Sequence, residues 1–207
     1  MKTFLIILGV LAALIVAGLL FVSGVYNGLV NRGQAVDAQW AQVQNVYQRR
    51  ADLIPNLVAT VAGAANFEKS TLTEITEARA SVGKVQLNPS AAPTAAQLAE
   101  FEKAQGQLGS ALSRLLVVVE RYPDLKATNN FQTLQSQLEG AENRITVERG
   151  RFNELAQDYN SAIKRVPAVF FAAVLGFKEK AYFAAAPGAD KVPEVKFDFA
   201  KKEPAKT

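Results

Sequence analysis

Apolar residues recur along this chain at steps alternating between three and four. From residue 26, Tyr26, Leu29, Gly33, Val36, Trp40, Val43 and Tyr47 share one helical face. The same count continues through Arg50, Ile54, Leu57, Val61, Ala65, Glu68, Leu72, Ile75, Arg79 and Val82, now carrying charges. A third segment runs Leu98, Phe101, Gln105, Leu108, Leu112, Leu115, Val119, Tyr122, and a fourth runs Phe131, Leu134, Leu138, Ala141, Ile145, Glu148, Phe152, Leu155, Tyr159. Heptad-spaced stripes of coiled-coil type, joined by short breaks, predict an all-α protein: an antiparallel four-helix bundle with long helices.

The breaks are chemically legible. "VQLNPSAAPT" (85–94) holds two prolines and opens a helix. "RYPDLKATNN" (121–130) puts Pro123 after one helix and caps at Thr128–Asn130 before the next. "NFEKST" (66–71) offers Asn66 as a cap with Glu68 in the first turn, and Pro167 closes the last helix.

One stretch, "RRADLIPNLV" (49–58), supports two readings. Asp52 could cap a new helix with Pro55 in its first turn, reversing the chain near residue 51. Alternatively one helix continues to about Ala65 and the chain reverses at Asn66. An interior proline costs about 3 kcal/mol, so this reading requires compensation. Two facts favour it: the stripe passes residue 55 in register, and a helix over 26–65 matches one over about 129–165 in length.

The N-terminus begins "MKTFLIILGVLAALIVAGLLFV". Its uncharged run, Phe4 to Val22, extends about 28 Å as a helix, most of a hydrocarbon core of about 30 Å. A cleaved signal peptide is the competing reading, with "VSG" (22–24) as a cleavage site. The length of the run and the unbroken stripe beyond it favour an uncleaved transmembrane anchor continuous with the first soluble helix. The expected organisation is an anchor over 1–25, a helical bundle over 26–166, an apolar segment over 167–183 and an extended or disordered tail over 184–207. Lys2 before the run weakly keeps the N-terminus cytoplasmic by the positive-inside rule. The expected location is the bacterial inner membrane, single-pass, with the bundle periplasmic.

Charges inside the stripes need partners. With the first and fourth helices set level end to end, Arg50 faces Glu148 and Arg79 faces Glu142, predicting interior or half-buried ion pairs. The alternative is that these long side chains reach water from the stripe edge. Such pairs would set helix register more than add stability.

Composition narrows the chemistry. Among 207 residues there is no cysteine and no histidine. That removes disulfides, thiolate nucleophiles, the commonest metal ligand and the usual acid–base residue near neutral pH. No catalytic, cofactor-binding or metal-binding residues are expected, and no enzymatic activity. The net charge of +4 is spread along the chain, without a nucleic-acid stripe.

Several long stretches resemble the LemA family of bacterial membrane-anchored proteins: "VYNGLVNRGQAVDAQWAQVQNVYQRRADLIPNLV", "EKSTLTEITEARA", "SRLLVVVERYPDLKATNNF", "ENRITVERGRFNELAQDYN" and "GFKEKAYF". The resemblance runs from about Tyr26 to Phe183. It implies a four-helix bundle on an N-terminal membrane helix, with no established catalysis. Many members carry a lipobox cysteine before the "YN" pair; here Val25 precedes Tyr26, so anchoring falls to the membrane helix. A histidine common before the family's glutamate is Phe67 here, so no role of it carries over.

After Pro167 comes the apolar "AVFFAAVLGF" (168–177). The fourth helix returns toward the membrane, so Phe170, Phe171, Leu175 and Phe177 are expected at the base of the bundle. They would either plug its open end or rest on the bilayer, with Lys178 and Lys180 on lipid phosphates. In the tail, Val195, Phe197 and Phe199 alternate with other residues as in a half-buried strand, for packing or for strand addition to a partner.

The functional expectation is a membrane-anchored scaffold or adaptor of the cell envelope. It would touch lipid through its N-terminal helix and bind other envelope proteins or copies of itself. Small residues (Gly106, Gly109, Ser110, Gly140, Gly150) would permit close helix contact, or would simply weaken the helices that carry them. The alternative is a membrane-surface module that binds or shapes the bilayer through residues 168–177.

Overall fold

The computed structural model describes residues 2–64 and 67–184, and all five of its α-helices lie in these spans. Helix α1 runs Lys2–Ala62, α2 Lys69–Lys84, α3 Ala95–Val119, α4 Pro123–Lys126 and α5 Asn129–Lys164, followed by a 3-10 turn at Ala168–Phe170. No strand occurs among the described residues. The tail with Val195, Phe197 and Phe199 lies outside them.

Helix α1 passes through residue 51 and Pro55 without a break, and the reversal falls between its end at Ala62 and the start of α2 at Lys69. The reading with a turn near residue 51 is therefore set aside, and Asp52 accepts from Gln48 one turn earlier instead of capping a helix. Compensation for the proline is visible. Pro55 has no N–H for the carbonyl four residues back, which belongs to Ala51. Arg79 Nε donates to that oxygen at 3.2 Å.

The helix ends follow local chemistry. Thr94 and Gln97 form a reciprocal capping box at the start of α3, and Thr128 accepts from the Phe131 N–H at the start of α5. Glu68 occupies the cap position of α2, one residue before the first turn expected for it, and makes no cap hydrogen bond; its carboxylate meets Arg121 at 2.7 Å. Asn66 lies outside the described residues.

Helices α1 and α5 run antiparallel along most of their shared length. Contacts descend α5 as they climb α1: Arg32 with Asp158, Trp40 with Phe152, Arg50 with Glu142. Helices α2 and α3 form a second antiparallel pair, tied by Glu74–Arg114 and Glu68–Arg121. The buried face of α1 consists of Leu29, Val36, Trp40, Val43, Tyr47, Arg50, Ile54, Leu57 and Val61, all on the predicted stripe, of which Tyr26 is exposed and Gly33 half-buried. Two apolar clusters result. One surrounds Trp40 with Phe101, Phe152 and Phe183; the other joins Ile54 and Leu57 to Leu108, Leu115 and Phe131. In contrast, Phe4 to Val22 is exposed along its whole length, and among the described residues none covers it. By length and composition this part of α1 suffices to cross a membrane.

Candidate functional site

Three features concentrate chemistry outside the apolar clusters. The first surrounds Arg50, which is 4 % exposed. Its Nη1 donates to Glu142 Oε1 at 2.6 Å, its Nη2 donates to Gln105 Oε1, and its guanidinium lies 5.2 Å from the Tyr47 ring centre. Its Nε is buried and has no partner. Three helices thus contribute to one arginine. Burial raises the Tyr47 phenol above its ordinary value, partly offset by the positive charges of Arg149 and then Arg50. Beside Arg50 lies a cavity of about 300 Å³ walled by Leu57, Leu112, Leu138 and Glu142.

The predicted pairing is corrected here. Arg50 meets Glu142, not Glu148, and Arg79 meets the Ala51 carbonyl, not Glu142. The two helices slide by more than a turn from the level alignment, because Trp40 seats against Phe152 and Gly33 against the Tyr159 ring. Glu142 lies six positions before Glu148, about 9 Å along the helix. Half-buried Glu148 instead accepts from Gln39 at 2.6 Å and pairs with Arg151 at 3.2 Å.

The second feature is a strap. Residues 177–184 leave the apolar segment without helical structure and run back along α5. Two asparagines hold its backbone. Asn160 Nδ2 donates to the Lys180 carbonyl at 2.8 Å, and its Oδ1 accepts from the Lys180 N–H at 2.8 Å. Asn153 does the same to Phe183, at 3.0 and 2.8 Å. The spacings agree physically: two turns of helix between the asparagines rise about 10.5 Å, and three extended residues cover about 10 Å. Phe183 then enters the Trp40 cluster, 5.4 Å from the Phe152 ring. Arg149 stacks 4.6 Å over Phe183, binds Glu102 on α3 at 2.7 Å and reaches the Ala184 carbonyl.

Lys180 points inward. Its Nζ pairs with Asp37 at 2.8 Å, and the same carboxylate oxygen accepts from the Ala92 N–H. The expected placement of Lys180 on lipid phosphates is therefore corrected, whereas Lys178 is exposed. Asp37 also raises the nearby Tyr159 phenol, second to burial itself. Asn153, Asn160 and Asp37, which hold the strap, escaped sequence reasoning. A signal existed: two asparagines seven apart, each directly after a stripe aromatic (Phe152, Tyr159).

The third feature is the apolar segment at the foot of the helical body, and it divides. Phe170 is 76 % and Leu175 44 % exposed, and Val174 and Val166 are exposed as well. Phe171 and Phe177 are half-buried against the Trp40 cluster, and Phe177 meets the Tyr26 ring edge-on at 5.5 Å. Plugging and exposure thus coexist in one segment. A side chain added at Gly106, Gly109, Gly140 or Gly150 would meet nothing within 4 Å, so none of these four glycines is needed for helix contact inside the chain. Among the described residues, no group of three acidic, histidine or cysteine side chains is arranged for a metal.

The family model described as the LemA family matches residues 39–197. The chain is similar to magnetosome protein MamQ of Magnetospirillum gryphiswaldense, 29 % identical, with the match covering 80 % of this chain and 66 % of that protein. It is also similar to magnetosome protein MamQ 2 of Paramagnetospirillum magneticum, 27 % identical over the same shares. Protein LemA of Metamycoplasma hominis is 23 % identical, over 66 % of this chain and 58 % of that protein. The chain thus spans about two thirds or less of the length of these relatives.

Proposed function

The chain belongs to the LemA family, and from that premise we propose that it is a membrane-anchored, non-catalytic scaffold or adaptor of the bacterial cell envelope. The observation that carries this reading is α1. One helix begins with an exposed stretch of membrane-spanning length and continues, in the same register, as the core helix of the helical body. A helix of 61 residues extends about 90 Å. No break in the helix separates the exposed stretch from the Trp40 cluster. We take the four long helices to close as an antiparallel bundle, with α1 and α5 as its long pair.

The partners under this reading are lipid through α1 and either other envelope proteins or copies of this chain. The N-terminus is cytoplasmic, the span crosses the inner membrane once and the helical body is periplasmic. Crosslinking of the full chain in native membranes tests the first point. Specific adducts with itself or with envelope proteins are expected; a chain that stays monomeric and captures nothing overturns the scaffold. Protease treatment of intact spheroplasts tests sidedness, and digestion only after lysis overturns the periplasmic placement.

A second reading has its own support. Phe170, Val174 and Leu175 are exposed on the segment that packs against Tyr26, next to the end of the membrane run. Residues 168–177 then rest on the bilayer, and the protein is a membrane-surface module as well as an anchored one. Deleting 168–177 separates the two: loss of oligomers favours the scaffold, and loss of membrane contact by the body favours the module.

A further inference from the structure

A cleft of about 450 Å³ lies where the membrane stretch of α1 meets the foot of α5. Phe21, Gly24 and Gly28 form its α1 wall, Val166 closes it on the other side, and Arg32 and Arg165 rim it. At Gly24 a side chain would meet nothing within 4 Å, so the missing side chain opens the wall.

The two arginines differ in how they are held. Arg32 Nε is tied to Asp158 at 2.9 Å, which leaves its outer nitrogens available. Its Nη1 lies 3.7 Å from the Cβ position of Gly28, one turn back toward the membrane run. The side chain therefore bends toward the bilayer, as long cationic side chains do at an interface. Arg165 is exposed and has no carboxylate partner among the described residues. The nearby acidic groups are already engaged, Asp158 by Arg32 and Glu179 by Lys164.

Gly24 and Gly28 follow Val22 by about 3 and 9 Å of helix, and the headgroup zone is about 5–8 Å thick on each face, so Gly24 lies within that zone and Gly28 at its outer edge. With the bilayer placed on the Phe4–Val22 run, the cleft would open on hydrocarbon at Phe21. Arg32, about 15 Å past Val22 along the helix, would reach the outer headgroup edge because its side chain turns back to Gly28. Its lower part is apolar and continuous with the lipid-facing surface, and its rim is cationic.

We infer that this cleft binds one anionic phospholipid, with its phosphate on Arg165 and Arg32 and an acyl chain along Phe21 and Gly24. The inference rests on the membrane-surface reading above, because Val166 must lie at the bilayer for the cleft to meet lipid. A free phosphate would not account for the apolar wall.

The test uses the full chain in nanodiscs of phosphatidylcholine containing a minority of phosphatidylglycerol, with retained lipid counted by native mass spectrometry. One phosphatidylglycerol per chain is expected to survive release from the disc. Arg165→Gln is expected to reduce its preference over phosphatidylcholine about fivefold, equivalent to one basic residue's attraction to an anionic surface. Gly24→Leu, which fills open space, is expected to reduce retention of both lipids without changing the melting temperature. Equal retention of the two lipids by the native chain, or an unchanged preference in Arg165→Gln, overturns the inference. The chain has no cysteine, so Phe170→Cys takes a single spin label. A label buried in lipid with no lipid preference removes only the cleft; a label in water removes the membrane-surface reading beneath it.

Discussion

Arg79 Nε donates to the carbonyl oxygen of Ala51, the one acceptor in α1 that Pro55 deprives of its helical donor. This contact lets a proline sit inside a 61-residue helix, and it links α2 to α1 where the charged stretch begins. Pro55 itself is exposed, so its ring contributes little packing. Pro55→Ala should stabilise the full chain by about 1–3 kcal/mol, up to the cost of an interior proline. Arg79→Ala should cost about 1 kcal/mol in the native background and close to nothing beside Pro55→Ala, where an N–H again serves Ala51. Thermal unfolding in detergent micelles across the four variants measures this coupling; additive effects would show the contact to be incidental.

The two asparagine clamps should hold the strap independently of its side-chain identity, because they grip backbone. Asn160→Ala leaves both the N–H and the carbonyl of Lys180 unmet, and a cost of about 1–3 kcal/mol is expected. Hydrogen exchange at Lys180 should accelerate most in that variant, and at Phe183 in Asn153→Ala. The chain has one tryptophan, and Phe183 lies 6.2 Å from its ring. Phe183→Ala should therefore shift Trp40 emission to longer wavelength as water reaches the cluster. Unchanged emission would place the strap elsewhere in solution.

For the buried arginine, loss of the partner and loss of the charge should differ. Glu142→Ala leaves Arg50 buried with only Gln105 and the Tyr47 ring, and breaking a fully buried pair costs about 3–5 kcal/mol. The Glu142 side chain is half exposed, so water takes part of its place and about 1–2 kcal/mol is expected. Arg50→Met should cost less than Arg50→Ala, since it keeps apolar volume and removes the charge. A double-mutant cycle should give measurable coupling between Arg50 and Glu142 and none between Arg50 and Glu148.

Alkaline pH should destabilise the protein through its buried phenols. Burial raises Tyr47 and Tyr159 above the usual 10.0, so the folded state holds their protons more tightly than the unfolded state. That stability is fully present below about pH 10 and is lost as pH rises from there through the raised folded values. Melting temperatures measured from neutral to strongly alkaline pH should fall beyond pH 10, and less steeply in Tyr47→Phe. An identical decline in that variant would exclude Tyr47 as the source.

Much of this was written in the chain. The stripe from Leu29 to Val61 is the observed buried face of α1, including Arg50, because a period near 3.5 places those positions on one side whatever packs against them. Thr128 acts as predicted because capping is local. The charge partners were not legible in the same way. Alignment by helix length places Arg50 opposite Glu148, but the register is set by where Trp40 meets Phe152 and where Gly33 admits Tyr159. Side-chain volume at a few contacts outweighs total length. Lys180, which reads as a lipid-facing cation after an apolar run, turns inward because Asp37, remote in sequence, waits for it.

Sequence alone determined the all-helical class, the buried faces of α3, α5 and the soluble part of α1, and that the apolar N-terminal run and the helix after it share one register. These properties depend on neighbours within a turn or two. Only the tertiary structure decided that Arg50 meets Glu142, that Arg79 makes good the proline's missing donor, and that two asparagines hold an extended strap against α5. Each of these joins groups far apart in the chain, and their meeting depends on how far one helix slides along another, a quantity set by packing volume rather than periodicity.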